Sequence, residues 1–322
     1  MGAHPTLLFT GASGLVGASL YRSLAADDRA ALAKWRVVLA VHRRAAPAPL
    51  RRGDRVVRAD LAEPGAGRRL VEQVEPQAVM NLAAHASLPA CEAQPQLARR
   101  LNADAAAELA RAASEAGAFL MHLSTDQVFD GGRECDAAGG GYREDDEARP
   151  ITVYGATKLA AERAILAGAE ADALVLRTAL VLAPSADGRT GPLDSIRRAA
   201  ADGAGEVRLF TDEWRTPVSV VDLARVVDEA LRRRATGLLH VAGPERLSRF
   251  ELGERIAAAF PPPAGAAAPR RIPAAQREAG HRRPRDVSLA TERLRREGWP
   301  RPEPLAAALI RLASLTGAAP RA

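Results

Sequence analysis

The chain has 322 residues, 47% of them hydrophobic, which is enough apolar material for a sizeable core in one large domain with a smaller companion. Its two cysteines are too few for a disulfide framework or a cysteine metal site, and no apolar run reaches the length of a membrane span. The net charge of +6 comes from arginines spread over the whole chain, and only 4% of residues are aromatic, which favours small anionic ligands over nucleic acid.

The first five residues lead into an apolar segment without the charged start and cleavage site of a signal peptide. We therefore expect a cytoplasmic enzyme without a membrane anchor. No spacing of cysteine and histidine is typical of zinc, and the acidic residues 144–147 follow a glycine-rich loop, so we interpret them as a solvated loop and predict no metal site.

Residues 6–10 form a predicted strand, which is followed by a glycine-rich turn and a helical pattern of apolar residues. Glycines in such a turn let the backbone approach a ligand closely, and the free amides at the helix start can hold a pyrophosphate. The order strand, turn, helix favours a dinucleotide site over an ordinary connection. The predicted cofactor contacts in this turn are Gly11, Ser13, Gly14, Leu15, Val16 and Gly17.

The second predicted strand, residues 36–41, ends at His42, Arg43 and Arg44. An NAD enzyme normally offers a carboxylate to the ribose 2′-hydroxyl at this place, whereas guanidinium groups suit a 2′-phosphate. The three residues therefore favour NADP(H), with NAD(H) as the alternative, because an arginine-rich chain can also carry an ordinary basic turn here.

Further strands alternate with helices along the chain, and this alternation is typical of right-handed βαβ units in a parallel, doubly wound Rossmann-type α/β fold. The predicted strands are residues 55–58, 77–82, 118–123, 174–177 and 237–242, and the predicted helices are residues 68–74, 96–116 and 153–167. Ligands bind at the carboxyl ends of such strands. We expect Asp60, Leu61, Ala83 and Ala84 to contact the cofactor there, with His85 near the substrate.

The segment Ser124-Thr125-Asp126 directly follows the predicted strand of residues 118–123. A hydroxyl at this position can donate a hydrogen bond to a carbonyl oxygen on which negative charge develops. The alternative is a helix cap or turn, since serine, threonine and aspartate favour both.

Tyr154 precedes Lys158 by four residues, in a chain with only three tyrosines and two lysines. Composition alone gives roughly 0.02 such pairs, so the motif is more specific than usual here. Both side chains should lie on one helix face, where the ammonium group would lower the pKa of the phenol and make Tyr154 a usable general acid or base. The alternative is an exposed helix in which Lys158 pairs with Glu162.

These motifs together resemble the extended short-chain dehydrogenases/reductases, specifically the dTDP-4-dehydrorhamnose reductase-like branch. The matching segments are Gly11-x-x-Gly14-x-x-Gly17, Asn81-Leu-Ala-Ala84, Cys91-Glu92 with Asn102, Ser124-Thr125-Asp126-x-Val-Phe-Asp-Gly131, Tyr154-x-x-x-Lys158, Arg177-Thr178, Asp212-Glu-Trp-Arg-Thr-Pro217, Asp222-Leu-Ala and Arg283-Pro-Arg-Asp286. The resemblance implies that Thr125, Tyr154 and Lys158 are catalytic and bind cofactor or substrate, and that the chain forms a homodimer.

The resemblance also implies a substrate site that includes His85, Thr125, Asp126, Thr178, Trp214 and Arg215. Trp214 with Arg215 could stack on and pair with a nucleotide diphosphate, or Trp214 could cover the core. The chain has Gln127 and Leu180 where these reductases commonly have tyrosine and tryptophan. Both positions lie near the substrate in the family, so the sugar and the nucleotide base stay open.

We predict a cofactor-binding domain of residues 1–180 and 217–242, and a substrate-binding domain of residues 181–216 and 243–322. The implied function is NADPH-dependent reduction of a 4-keto sugar nucleotide. One alternative is a non-catalytic NADP-binding regulatory subunit, because the resemblance extends to methionine adenosyltransferase beta subunits. Another is a sugar-nucleotide epimerase or dehydratase of the same superfamily, which the absence of a glutamate next to Thr125 disfavours.

Overall fold

Seven parallel strands form the central sheet of the computed structural model, which describes residues 4–27, 30–133, 140–168, 172–202, 209–260, 274–275 and 283–316. The strands are β1 (Thr6–Thr10), β2 (Arg36–Val41), β3 (Arg55–Arg58), β4 (Ala78–Asn81), β5 (Phe119–Thr125), β6 (Ala173–Thr178) and β7 (Gly237–Val241). Their order across the sheet is β7-β6-β5-β4-β1-β2-β3, and every pair is parallel. This confirms the predicted doubly wound α/β fold and the return of the last strand to the main sheet.

The strand order reverses between β1 and β4, and a crevice opens at the carboxyl ends of the strands at such a switch point. Thr10 and Asn81, the last residues of these two strands, are partners in register. The sheet therefore brings the glycine turn after β1 and the segment after β4 to the same edge.

Eleven helices are present in the described part of the chain. They are α1 (Leu15–Ala25), α2 (Ala66–Val74), α3 (Leu88–Ala93), α4 (Pro95–Arg99), α5 (Ala105–Glu115), α6 (Val153–Leu166), α7 (Pro192–Asp202), α8 (Val220–Arg233), α9 (Arg249–Ala259), α10 (Glu292–Arg296) and α11 (Leu305–Thr316). Among the described residues, none of these helices is both long and apolar enough to cross a membrane.

Apolar side chains of β1 alternate between the two faces of the sheet. Leu7 and Phe9 belong to a cluster of buried residues that includes side chains of α1 and α8, whereas Leu8 packs on the other face with α2 and α5. Because both faces are buried, the strands read as continuous apolar runs, which is typical of parallel sheets.

The predicted single helix over residues 96–116 is wrong in one respect. The helix is divided into α4 and α5 by a π-helical turn, Arg100–Asp104, which holds the fully buried Asn102. Such turns widen a helix by one residue and occur often at functional sites. The interruption depends on contacts of Asn102 with distant residues, which local periodicity does not report.

Short strand pairs lie outside the central sheet. Val181–Leu182 pairs with Val218–Ser219, and Trp214–Arg215 pairs in antiparallel fashion with Leu247–Ser248. The main buried cluster joins side chains from both predicted domains, such as Leu39 of the sheet and Leu252 of α9. The division into two domains therefore stays a prediction.

Candidate active site

A cavity of about 440 Å³ lies at the carboxyl ends of β1, β2 and β4. Its lining includes most of the predicted cofactor contacts, namely Gly11, Ser13, Gly14, His42, Arg43, Arg44, Asp60, Leu61, Ala83 and Ala84, together with His85. The remaining predicted contacts, Leu15, Val16, Gly17, Tyr154 and Lys158, are not part of this lining. The cavity has the position of a dinucleotide site at a switch point.

The glycine turn is shaped by two close approaches. Gly11 has φ +70°, and a β-carbon there would lie 2.5 Å from the backbone carbon of Leu82. A β-carbon on Gly17 would lie 2.2 Å from the carbonyl oxygen of Gly11, so Gly17 lets α1 pack against the turn. Gly14 is the N-cap of α1 and has no side chain that could accept a hydrogen bond from the first amides of the helix. These amides are therefore available for an anion.

Leu15 and Val16 have a packing role in the structure. Both pack against the main buried cluster, and a β-carbon on Gly191 would lie 2.3 Å from Cδ2 of Leu15. The amides of the helix start are thus held in place by apolar contacts behind them.

The rim of the cavity after β2 carries positive charge. His42, Arg43 and Arg44 are all exposed there. Nε2 of His42 lies 3.3 Å from Oδ2 of Asp60, and Arg58 donates a 2.7 Å hydrogen bond from Nη1 to the carbonyl oxygen of His42. An exposed cluster of this kind suits a phosphate group at the edge of the cleft.

Thr125 and Tyr154 come together because α6 closely approaches the end of β5. Thr152 caps α6 by accepting a 3.0 Å hydrogen bond from the amide of Gly155. A β-carbon on Gly155 would lie 2.1 Å from the carbonyl oxygen of Gln127, so only glycine fits at this contact. The hydroxyl of Thr125 donates to Oδ1 of Asp126 at 3.1 Å and lies near enough to the phenol of Tyr154 to act on its pKa.

The pKa of the Tyr154 phenol is raised, mainly by burial and further by the nearby Asp126 carboxylate, while the nearby Thr125 hydroxyl opposes the rise. The predicted lowering of this pKa is therefore wrong. Burial and the Asp126 carboxylate, which sequence spacing does not reveal, both disfavour the phenolate. A phenol with a raised pKa keeps its proton at neutral pH and suits the role of a proton donor.

Lys158, a residue of α6, is buried, with 2% of its surface exposed. Its Nζ donates a 2.6 Å hydrogen bond to the carbonyl oxygen of Leu123 and lies 2.8 Å from Nε2 of His122. Burial lowers the pKa of Lys158 to about 8, and the carboxylate of Glu162 opposes this change. Glu162 makes its ion pair with Arg177, at 2.7 Å, so the alternative of an exposed Lys158–Glu162 pair does not apply.

Asp126 lies beside Thr125 and is buried. Its Oδ1 accepts a 3.1 Å hydrogen bond from the Thr125 hydroxyl, and its Oδ2 lies 3.7 Å from Nε of Arg215. Burial raises the pKa of Asp126, and Arg215 opposes that rise. Thr178, at the end of β6, is in register with Thr125 and is also buried.

Trp214 is half-buried, and the guanidinium of Arg246 lies 3.9 Å from the centre of its ring. Arg215 is held by the carbonyl oxygen of Trp214, at 2.6 Å, and by that of Pro284, at 3.3 Å. These contacts place Arg215 beside Asp126. One face of the Trp214 ring is covered by the guanidinium of Arg246. Both readings of Trp214, as a stacking platform and as a cover, therefore stay predictions.

Asn102 and His85 are joined in a way that the sequence did not reveal. The Asn102 side chain accepts a 2.7 Å hydrogen bond from the amide of His85 and donates to the carbonyl oxygen of His85 and to the hydroxyl of Thr157. It thus ties the segment after β4 to the helix that carries Tyr154. Asn102 was visible in the family motif, but its role depends on the π-helical turn.

The described residues contain no group of three histidine, cysteine, aspartate or glutamate side chains that could hold a metal ion. Cys91 is buried and donates from Sγ to the carbonyl oxygen of His85, and burial raises the pKa of its thiol to about 11. Cys135, the other cysteine, lies outside the described residues.

A family model described as the RmlD substrate binding domain matches residues 5–315. The chain is 35% identical over 249 residues to a dTDP-4-dehydrorhamnose reductase from Mycolicibacterium smegmatis. This alignment covers 76% of the present chain and 66% of that protein. It is 29% identical over 267 residues to methionine adenosyltransferase 2 subunit beta from Pongo abelii, with 79% of this chain and 72% of that protein covered.

Two solved structures show the same fold. A hypothetical dTDP-4-dehydrorhamnose reductase from Sulfolobus tokodaii has a TM-score of 0.71 and 28% identity, covering 90% of this chain and 94% of that one. A dTDP-4-dehydrorhamnose reductase from Bacillus anthracis, solved in complex with NADP, has a TM-score of 0.78 and 21% identity. The match covers 97% of this chain and 99% of that one.

Proposed function

We propose that this chain, which belongs to the RmlD substrate binding domain family, is an NADPH-dependent reductase of a 4-keto sugar nucleotide. The observation that carries the proposal is that the Thr125 hydroxyl lies near enough to the Tyr154 phenol to act on its pKa, one helical turn from Lys158. The relative from M. smegmatis, at 35% identity, carries the name of such a reductase. Thr125, Tyr154 and Lys158 are the residues we assign to the reaction.

The cleft after β1 fits a dinucleotide. The φ of +70° at Gly11 and the uncapped start of α1 adjoin the lining residues Gly11, Ser13 and Gly14, and this arrangement suits a pyrophosphate. His42, Arg43 and Arg44 would hold the 2′-phosphate of NADP(H), and the B. anthracis relative binds NADP. NAD(H) is the alternative cofactor. When bound, the reduced nicotinamide would supply a hydride.

The side chains around Thr125 would then handle the oxygen of the carbonyl group. As the carbonyl carbon accepts the hydride, the carbon–oxygen π bond breaks and negative charge develops on the oxygen. The Thr125 hydroxyl donates a hydrogen bond to this oxygen, and Tyr154 transfers its phenolic proton to it, giving the alcohol. The raised pKa of Tyr154 supports this direction, because the phenol must enter the reaction protonated.

An anionic substrate is supported by the arginines opposite Asp126. Arg215 lies next to Asp126, and the pKa of Arg249 is lowered to about 10, mainly by burial and then by the neighbouring charge of Arg215. Arg283 also acts on Arg249. Clustered guanidinium groups favour a phosphate-bearing ligand, so we assign Arg215, with Trp214, to the nucleotide diphosphate. His85, Asp126 and Thr178 would contact the sugar.

The test is the loss of NADPH absorbance when freshly generated dTDP-4-dehydrorhamnose is added to the wild type and to Tyr154→Phe. We expect consumption by the wild type and none by the variant, with cofactor binding retained in both. Equal turnover by the variant would refute the assigned mechanism. Binding without consumption by either protein would refute this substrate and direct attention to other keto sugars.

A second candidate function is regulation of a partner enzyme. It is favoured by the 29% identity to a methionine adenosyltransferase subunit, over 79% of this chain. Adding the purified chain to a methionine adenosyltransferase and measuring its rate separates the two candidates, because a reductase leaves that rate unchanged. A homodimer and a cytoplasmic location are further parts of the proposal, which light scattering and cell fractionation test.

A further inference from the structure

A second cavity, of about 790 Å³, lies apart from the cofactor cavity and shares no lining residue with it. It is bounded by the second half of α1, the loop after β2, the segment 184–188, α7 and the end of α11. Cavities of about 300–1,000 Å³ are typical of small-molecule sites. None of the lining residues has a part in the reaction assigned above, so a ligand of this cavity would be a third molecule beside cofactor and sugar.

Apolar side chains form a large part of the lining. Leu50 and Leu315 belong to it and keep 37% and 50% of their surface exposed. Large exposed leucines on one concave surface favour an apolar ligand group, because covering them removes apolar area from water. The remaining apolar members of the lining are Ala25, Ala26, Pro49, Pro184 and Ala186.

Arg22, in the last turn of α1, brings a positive charge to this cavity. Its Nη2 donates to Oγ of Ser19 at 3.0 Å and to the carbonyl oxygen of Pro184 at 3.3 Å. In the part of the chain that the structure describes, no carboxylate pairs with Arg22, and its Nη1 and Nε have no acceptor. A half-buried guanidinium with spare donors suits a carboxylate or sulfonate, which it binds through charge-assisted hydrogen bonds.

The other charged side chains of the lining already have partners. Arg51 pairs with Asp54 at 2.9 Å, and Arg197 pairs with Asp194 at 3.0 Å. The oxygens of Asp187 accept several hydrogen bonds from amides and hydroxyls of its own loop. The guanidinium at the end of α1 is therefore the cation of the described lining that is left for a ligand.

The lining also restricts the chemistry of that ligand. None of the described lining residues is aromatic, so a nucleobase would find no ring to stack on. One unpaired guanidinium balances one negative charge, whereas a nucleotide with several phosphates carries more. A small molecule with a single acidic group therefore fits this cavity better than a second nucleotide.

We propose that this cavity binds an anionic amphiphile, namely a small molecule with one carboxylate or sulfonate group on an apolar body. Arg22 binds the acidic group, and Leu50 and Leu315 cover the apolar body. The site does not depend on the proposed reductase function, because it shares no residue with the cofactor cavity.

The test uses two fluorescent probes with the same apolar rings. The sulfonate probe is 8-anilinonaphthalene-1-sulfonate, and the neutral probe is N-phenyl-1-naphthylamine, which lacks the sulfonate. Both gain fluorescence in apolar surroundings, so a titration of the purified chain gives a Kd for each. We expect saturable binding of one sulfonate probe per chain, tighter than that of the neutral probe. Failure of the sulfonate probe to bind in this way would overturn the proposal.

Arg22→Met removes the guanidinium and keeps most of the apolar stem. We expect the Kd of the sulfonate probe to rise roughly tenfold or more, because a charge-assisted hydrogen bond is lost, and the Kd of the neutral probe to stay nearly the same. Arg111→Met, at an exposed position on α5, is the matched control. An unchanged Kd of the sulfonate probe, or an equal change for both probes, would show that Arg22 does not bind the acidic group.

Ser23→Trp fills the cavity with a bulky ring. The Ser23 side chain makes no hydrogen bond within the described residues, so the substitution removes none. We expect both probes to lose binding in Ser23→Trp and to keep it in Ser114→Trp, which adds the same ring at an exposed position of α5. Wild-type affinity for both probes in Ser23→Trp would place them elsewhere and overturn the proposal.

Nuclear Overhauser effects locate the sulfonate probe without any variant. With leucine methyl groups labelled, we expect contacts from the probe rings to Leu50 and Leu315. Contacts to Leu61 and Leu82 instead, which line the cofactor cavity, would overturn the proposal.

Discussion

Gly155 touches the carbonyl oxygen of Gln127 so closely that a β-carbon on Gly155 would lie 2.1 Å from it. This contact joins the start of α6 to the end of β5 and thereby places Tyr154 beside Thr125. The pair that we assign to the reaction therefore depends on a residue that has no side chain.

Gly155→Ala should separate Tyr154 from Thr125. The added methyl group meets backbone atoms that cannot rotate away, so the helix start has to shift, and small displacements of a proton donor cost about 10- to 100-fold in kcat. Steady-state kinetics with the keto sugar nucleotide checks this, with NADPH affinity measured by fluorescence. Gly132→Ala, where a β-carbon meets only ordinary contacts, is the control. An unchanged kcat in a folded Gly155→Ala protein would contradict the assignment.

Gly11→Ala should weaken cofactor binding. Gly11 has φ +70°, and its added β-carbon would lie 2.5 Å from the backbone of Leu82, so both the strain and the clash distort the turn after β1. Gly188 also has a positive φ, +62°, but a β-carbon there meets nothing within 4 Å and the residue is not in the lining of the cofactor cavity, so Gly188→Ala is the control for a strained alanine elsewhere in the chain. We expect a Kd for NADPH at least about tenfold higher in Gly11→Ala only. Similar affinities in both variants would count against this position of the pyrophosphate.

Replacing Arg43 and Arg44 together by serine should reduce the preference for NADPH. Both are exposed at the rim of the cleft, where they would pair with the 2′-phosphate. We expect the KM for NADPH to rise about 10-fold or more, and the KM for NADH to stay nearly the same. Replacing Arg99 and Arg111, two other exposed arginines, together by serine controls for the loss of two positive charges. An equal change in the KM values for NADPH and NADH would show that Arg43 and Arg44 do not bind the 2′-phosphate.

Buried histidine should make the protein lose stability in mild acid. His240 is fully buried, and burial, with the nearby Arg177 charge, lowers its pKa to about 3. The unfolded chain, with an ordinary histidine pKa near 6.5, binds a proton that the folded chain does not. Stability therefore falls as pH decreases from about 6.5 towards 3, by about 1.4 kcal/mol per pH unit for this residue.

Urea unfolding at pH 5, 6 and 7 measures this dependence. His240→Leu removes the titrating group, so the slope should become shallower. His4→Leu, at an exposed position, is the control and should keep the wild-type slope. Parallel slopes for all three proteins would show that His240 does not titrate as inferred.

The fold was predictable because its determinants are local. The apolar run before Gly11 and the glycine turn after it are readable as strand and turn, and the family resemblance drawn from the motifs is confirmed by the match over residues 5–315. The interrupted helix at Asn102 was not predictable from periodicity. Its π-helical turn is stabilised by hydrogen bonds to His85 and Thr157, which are distant in sequence.

The charge states at the candidate site were the least predictable feature. Helical spacing places Tyr154 and Lys158 one turn apart, but the sign of the pKa shift at Tyr154 is set by burial and by Asp126. Similarly, His122 reads as an ordinary packed strand residue until its neighbours across the sheet are known. Register between strands, rather than any local motif, brings Asn81 and His122 into contact.

The scarcity of lysine has a practical consequence for labelling. Lys34 is exposed at the end of a short helical turn, whereas Lys158 is shielded by the fold. An amine-reactive dye will therefore attach at Lys34 in the folded protein and reach Lys158 only after unfolding. Mass spectrometry of the two peptides can then report the unfolded fraction inside a living cell or a crude extract, without purification.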